Sequence, residues 1–111
     1  MAEMMDLIGE IKARVFDGRG FVREKAERIE EILKEFGIRY DHTARAKPEF
    51  ASGEIRHIAG EWRIFGGNTS HVGRWDRWTY YVYPYIAIPS SMTQEQIEEA
   101  IRKLKREWPL D

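Results

Sequence analysis

The segment Gly66-Gly67-Asn68-Thr69-Ser70-His71-Val72-Gly73-Arg74-Trp75-Asp76-Arg77-Trp78 gathers the side chains with the most chemistry in this chain. Arg74 and Arg77 supply planar guanidinium forks suited to a phosphate or carboxylate, and Trp75 and Trp78 supply faces on which rings stack. The glycines with Asn, Thr and Ser make its first part read as an exposed loop rich in hydrogen-bonding groups. A plainer reading is a long hairpin loop in which Trp78 belongs to the core and Asp76 pairs with an arginine. The segment lacks the Gly-Lys-Ser/Thr ending of a P-loop and leads into a strand, so no triphosphate site is expected.

Directly after it, Trp78 to Ile88 is dense in β-formers, and Tyr81, Tyr83 and Tyr85 fall on alternate positions. On one strand they form a tyrosine ladder. With Arg56 or Arg63 alongside, the residue types match the recipe by which sheet faces stack the bases of single-stranded nucleic acid. Tyrosine also suits a half-buried contact with a protein partner, a second copy of the chain, or a covering helix. The formal charge of −1 speaks against a general phosphate-neutralising field. A protein partner or self-association is therefore the first expectation and nucleic acid the second.

The three histidines are His42, His57 and His71. Two of them with an arginine would suffice for metal-independent acid/base cleavage of RNA through its 2′-hydroxyl, His71 being the one in a loop. Their spacing fits none of the metal-binding histidine motifs, and no metal or cofactor is expected. Ser52, Ser70, Ser90 and Ser91 lack the context of a nucleophile elbow.

The elements that must position these groups are legible on either side. Met4, Ile8, Ile11 and Val15 recur at helical spacing, predicting a helix over about 3 to 15 that ends in Asp17-Gly18-Arg19-Gly20. Val22, Ala26, Ile29, Leu33 and Phe36 predict a second helix over about 21 to 36, closed by Gly37 with Ile38 as its apolar contact. Glu24 with Arg28 and Glu30 with Lys34 are favourable i,i+4 neighbours in it. Thr93 with Gln96 forms a capping box inside a Met92/Ile97 staple, predicting a last helix over about 94 to 107. Between them, strands are expected at Ile38 to Thr43, at Glu61 to Phe65 with Trp62 and Ile64 inward, and at Trp78 to Ile88. Gly53 to Ile58 is either a partner of the second or its extension, depending on whether Ala59-Gly60 is a hairpin or a bulge. Pro84 places the last strand at an edge, at a bulge, or in two pieces. Ala44 to Ser52 and Gly66 to Trp75 read as loops.

Connections too short for helical crossovers make the sheet antiparallel. The expected fold is α+β, a two-layer sandwich of three to four antiparallel strands with helices on one face, in the order ααβ(β)ββα. With 111 residues the chain is expected to form one domain, 1–111. The absence of cysteine excludes disulfides, thiolate zinc sites, iron–sulfur clusters and a cysteine nucleophile. No apolar run approaches the roughly 18 residues that span a bilayer, and the start is unlike a signal peptide, so a cytoplasmic protein is expected. One third of the residues are charged and amides are few, a thermophile-like mix.

Charge is organised along the chain. Residues 1–36 hold 7 bases and 9 acids, 37–90 hold 7 and 5, and 91–111 hold 4 and 5. The slightly basic middle also carries every histidine and 10 of the 14 aromatics, so the candidate sites fall there. The expected function is a small binding module that contacts a protein or anionic partner through Arg74, Trp75, Arg77, Tyr81, Tyr83 and Tyr85. The alternatives are a metal-independent nuclease or hydrolase using His71 with His57 or His42, and a homodimer that buries the tyrosine face.

Overall fold

A computed structural model describes residues 4–16, 23–45, 47–66, 69–72 and 79–107, with the backbone alone at 23–24, 69–72 and 79–81. The order of elements is α1 (Met4–Phe16), α2 (Arg23–Glu35), β1 (Arg39–Asp41), β2 (Ile55–Ile58), β3 (Glu61–Phe65), β4 (Thr69–Val72), β5 (Thr79–Val82), β6 (Tyr85–Pro89) and α3 (Gln94–Glu107). Four strands form an antiparallel sheet in the order β1-β6-β3-β2, and β4 pairs with β5 separately. The helices pack on the sheet, giving the expected two-layer α+β sandwich.

The buried stripe of each helix follows the predicted spacing, with Val22 outside the described residues and Phe36 half-buried just past the end of α2. Leu7, Ile8, Ile11 and Val15 of α1, Ala26, Ile29, Ile32 and Leu33 of α2, and Ile97, Ala100, Ile101 and Leu104 of α3 are buried. All of these but Ala26 meet Tyr40, Ile64, Ile86 and Ile88 from the sheet in one hydrophobic cluster. Complete burial of each isoleucine contributes roughly 1.5–3 kcal/mol. α3 packs against both α1 and α2, and α2 lies against β1. Ion pairs tie the helices on their solvent side: Arg28 to Glu107 at 2.7 Å, Lys103 to Glu35 at 2.6 Å and Lys105 to Glu10 at 3.1 Å.

The helix ends follow their local chemistry. Gly37 has φ +84°, and the N–H groups of Ile38 and Gly37 donate to the carbonyls of Leu33 (2.9 Å) and Lys34 (3.0 Å), the Schellman pattern. At α3, Thr93 N–H donates to Gln96 Oε1 at 2.9 Å while Gln96 N–H donates to Thr93 Oγ1 at 3.2 Å. Met92 and Ile97 are both buried in the core beside this capping box.

The Ala59-Gly60 alternative is decided by backbone angles. Both residues are left-handed, at φ +51° and +77°, which makes a two-residue hairpin of the primed type. Ile58 and Glu61 close it, so β2 is the partner of β3 rather than its extension.

The run expected as one strand over Trp78 to Ile88 is, within the described residues, two strands, β5 and β6. Pro84 has no N–H for a ladder, and the chain leaves β5 there to enter the centre of the four-stranded sheet as β6. The crossing is pinned on both sides. Tyr83 N–H donates to Ala44 O at 2.7 Å, and Gly66 N–H donates to Pro84 O at 2.7 Å. Within the segment expected to be a loop, Thr69–Val72 is instead a strand, because β5 offers it an unpaired edge and Thr69 and Val72 suit the pleat.

Candidate functional site: the helix-free face of the sheet

Alternation along β1, β6, β3 and β2 sends one set of residues to the helices and the other to the opposite face. Tyr40, Ile86, Ile64 and Ile55 form one row across the inner face, followed by Ile88, Trp62 and His57. On the outer face the register aligns Arg39, Ala87, Arg63 and Arg56 in one row, and Asp41, Tyr85 and Phe65 in the next. A row of three arginines therefore runs beside an aromatic row, about 7 Å away at two residues along a strand.

The arginines are held in place. Arg39 Nη2 donates to both Glu61 carboxylate oxygens at 2.8 and 2.9 Å, and Arg63 donates from Nε (3.1 Å) and Nη2 (2.9 Å) to Glu61 Oε1. One carboxylate thus joins guanidinium groups from two strands that are not neighbours. Between those strands Ala87 is fully buried on a face that carries no helix among the described residues, flanked laterally by Arg39 and Arg63. Arg56 pairs with Glu54 at 2.9 Å and lies over the Phe50 ring, 5.3 Å from its centroid.

The aromatics are stacked in sequence. Phe50 meets Phe65 edge-on at 5.0 Å between centroids, and Phe65 meets Tyr85 at 5.9 Å. Phe65 is buried by this packing and Tyr85 is half-buried. The loop bearing Phe50 is anchored to the end of β3, since Gly53 N–H donates to Phe65 O at 2.8 Å and Ser52 Oγ donates to Gly66 O at 3.0 Å.

Loop and sheet face enclose a cleft of about 270 Å³ lined by Arg39, Lys47, Glu49, Arg63, Phe65 and Tyr85. Three cations face one lining carboxylate, with Glu61 beside them. Lys47 makes no hydrogen bond or ion pair among the described residues. An anion entering the cleft meets two pre-positioned guanidinium groups and a mobile ammonium point charge.

The histidines occupy three separate places. His42, just beyond β1, holds its Nδ1 against Glu30 Oε1, and its backbone N–H donates to the same oxygen at 2.8 Å. Glu30 is thus engaged with His42, which ties α2 to the end of β1. His57 is exposed on β2, with its ring 4.8 Å from that of Trp62. β1 and β2 are the two edges of the sheet, three strand spacings or roughly 14 Å apart, so His42 and His57 do not form a pair. His71 lies in β4, opposite Tyr80. Beside His42, burial pushes the Tyr40 phenol well above its ordinary pKa, with the Glu30 and Asp41 charges adding to the effect. Among the described residues no cluster of His, Asp and Glu suits a metal ion.

The three tyrosines do not share a strand. Tyr81 is in β5 opposite Ser70, Tyr85 is in β6 between Asp41 and Phe65, and Tyr83 lies in the connection between them. Tyr85 alone lines the cleft, with Arg63 alongside as its residue type suggested. Arg74, Trp75 and Arg77 lie outside the described residues. Arg39, Lys47, Glu49, Glu61 and Phe65 are additions that sequence reasoning missed. The charged and aromatic alternation of Glu61, Arg63 and Phe65 was the available signal, opposite the inward Trp62 and Ile64.

No helix among the described residues is long and apolar enough to cross a membrane. Comparison with protein-family models, with curated proteins and with solved structures finds no match, so what this site does is read from its own geometry.

Proposed function

We propose that the chain is a binding module whose helix-free sheet face holds an anionic group of its partner in the cleft between Arg39, Arg63 and Lys47. The observation that carries this reading is the bridging of Arg39 and Arg63 by Glu61. Two arginines on non-adjacent strands, fixed by one shared carboxylate, lose little further side-chain freedom when a ligand arrives, and that lowers the cost of binding. The shared carboxylate leaves the pair with one net positive charge, and Lys47 adds to it.

Each charge-assisted hydrogen bond to the ligand is worth about 1.5–3 kcal/mol, or roughly tenfold to a hundredfold in affinity. Calorimetric titration with pyrophosphate tests the reading. The Arg39→Gln/Arg63→Gln double variant should lose at least tenfold in affinity while its circular dichroism spectrum is unchanged. A folded double variant that binds pyrophosphate as well as the parent overturns the proposal. Arg74→Ala/Trp75→Ala, tested in parallel, reports whether that segment contributes to the same partner.

A further inference from the structure

Resting on the reading above, we infer that the group held in the cleft is a nucleoside monophosphate unit. Three features of the lining point there together, and each excludes a simpler ligand.

The first is charge. Arg39, Arg63 and Lys47 all line a cleft whose lining holds a single carboxylate, Glu49, while Glu61 is bonded to both arginines. A phosphate monoester carries close to two negative charges at neutral pH, and two forks with an ammonium group match it better than they match one carboxylate. A zwitterion such as an aromatic amino acid would leave this positive charge unmatched.

The second is the aromatic wall. Tyr85 is half-buried and packs beside Phe65, its cross-strand neighbour, which in turn meets Phe50 edge-on. A half-exposed ring held in place by its neighbours offers a stacking surface to a flat heterocycle. Inorganic phosphate or sulfate makes no use of it.

The third is Glu49. An acceptor-only carboxylate repels a bare anion, so its place in the lining suits a ligand that carries hydrogen-bond donors as well as an anionic group. Ribose hydroxyls or a base amino group supply such donors. Volume completes the argument. About 270 Å³ is just under the range of drug-sized pockets, which is room for one nucleotide unit.

The same chemistry can arrive as a free mononucleotide or as one unit of a single strand, and titration separates them. AMP, UMP, adenosine, inorganic phosphate and a twelve-residue oligouridylate are titrated into the full chain. At least one mononucleotide should bind tenfold or more tightly than both inorganic phosphate and adenosine. Tyr85→Leu should cut the preference for that mononucleotide over phosphate at least fivefold, whereas Tyr85→Phe, which keeps the ring, should retain it. If phosphate binds and no mononucleotide binds more tightly, the nucleotide assignment is overturned while the anion reading survives. If neither phosphate nor pyrophosphate binds, both fail. An oligomer that binds tenfold more tightly than the mononucleotide, with log K falling about two units per decade of salt for three cations, identifies a strand as the source; equal affinity per unit identifies the free nucleotide.

Discussion

Gly66 is where the core and the candidate site meet, and replacing it with alanine tests both. A Cβ built there would sit 2.8 Å from two carbons of the Phe16 ring and 3.4 Å from a third. Carbon contacts relax at about 3.5–4.0 Å, so the ring must retreat by roughly 1 Å. Phe16 ends α1 and lies edge-on to Tyr40 at 6.1 Å between centroids, and Tyr40 is itself buried in the sheet. The ring therefore has resistance behind it. Gly66 cannot yield easily either, because its N–H is bonded to Pro84 and its carbonyl to Ser52. Overpacking of this kind costs about 1–3 kcal/mol, which in a chain of this size lowers the thermal midpoint by roughly 4–20 °C. Thermal melts followed by circular dichroism, with urea midpoints as a check, measure it. Adding Phe16→Leu should recover part of the loss, since the smaller side chain removes the clash. Pro84 and Phe65 adjoin the cleft wall, so Gly66→Ala should also weaken pyrophosphate binding. A variant that melts within 1 °C of the parent would show that Phe16 is free to move and that the junction is not tight.

Other predictions concern single groups. Ala59 stands in the left-handed region at φ +51°, where L-residues pay about 1–2 kcal/mol, so Ala59→Gly or Ala59→Asn should raise stability by about 0.5–1 kcal/mol in urea melts. The Glu107 carboxyl is held below its ordinary pKa by its hydrogen bonds from Arg28. That stabilisation is present above the unfolded carboxylate pKa and lost as pH falls through the folded one, so the gap in midpoint between parent and Glu107→Gln should close on acidification. Tyr40 has the opposite sign, its pKa being raised in the fold. Tyr40→Phe should match the parent to within about 1 kcal/mol at pH 7, because the phenol makes no hydrogen bond among the described residues. Above about pH 10 the parent should lose stability faster than the variant, as pH rises from the unfolded toward the folded pKa.

How much of this was legible in the sequence depends on the range of the interactions involved. Helix α3 runs from Gln94 to Glu107, where its capping box and apolar stripe placed it, because those signals are local. The Gly37 ending of α2 is local too, and it forms the expected hydrogen bonds. Glu30, by contrast, was an i,i+4 partner for Lys34 on spacing and instead engages His42, twelve residues away. Pro84 marked a disturbance in the Trp78 to Ile88 run, but local chemistry leaves open whether the strand bends or ends. The answer lies in the neighbours that β5 and β6 find, β4 on one side and β1 with β3 on the other.

The candidate site was harder to see for the same reason. Arg39, Arg63 and Arg56 come into one row only through the β1-β6-β3-β2 register, which joins residues far apart in sequence. Lys47 and Glu49 reach the cleft because Phe50 seats their loop on Phe65, a contact that no periodicity encodes. Residue type suggested Arg56 or Arg63 beside the tyrosines, and Arg63 with Tyr85 is the pair that lines the cleft. What it lacked was β1, which brings Arg39 to the same Glu61 carboxylate.

A heavy oxyanion soaked into crystals of the protein gives the most direct test of the central claim. The account predicts that the strongest anomalous peak for tungstate lies in the cleft, within about 4 Å of the Arg39 and Arg63 guanidinium groups and close to Lys47. A rival cationic hollow of about 560 Å³ exists beside Phe36, where Arg102, Lys105 and Arg106 meet Glu99. An anomalous peak at that hollow, with none between Arg39 and Arg63, would contradict the account.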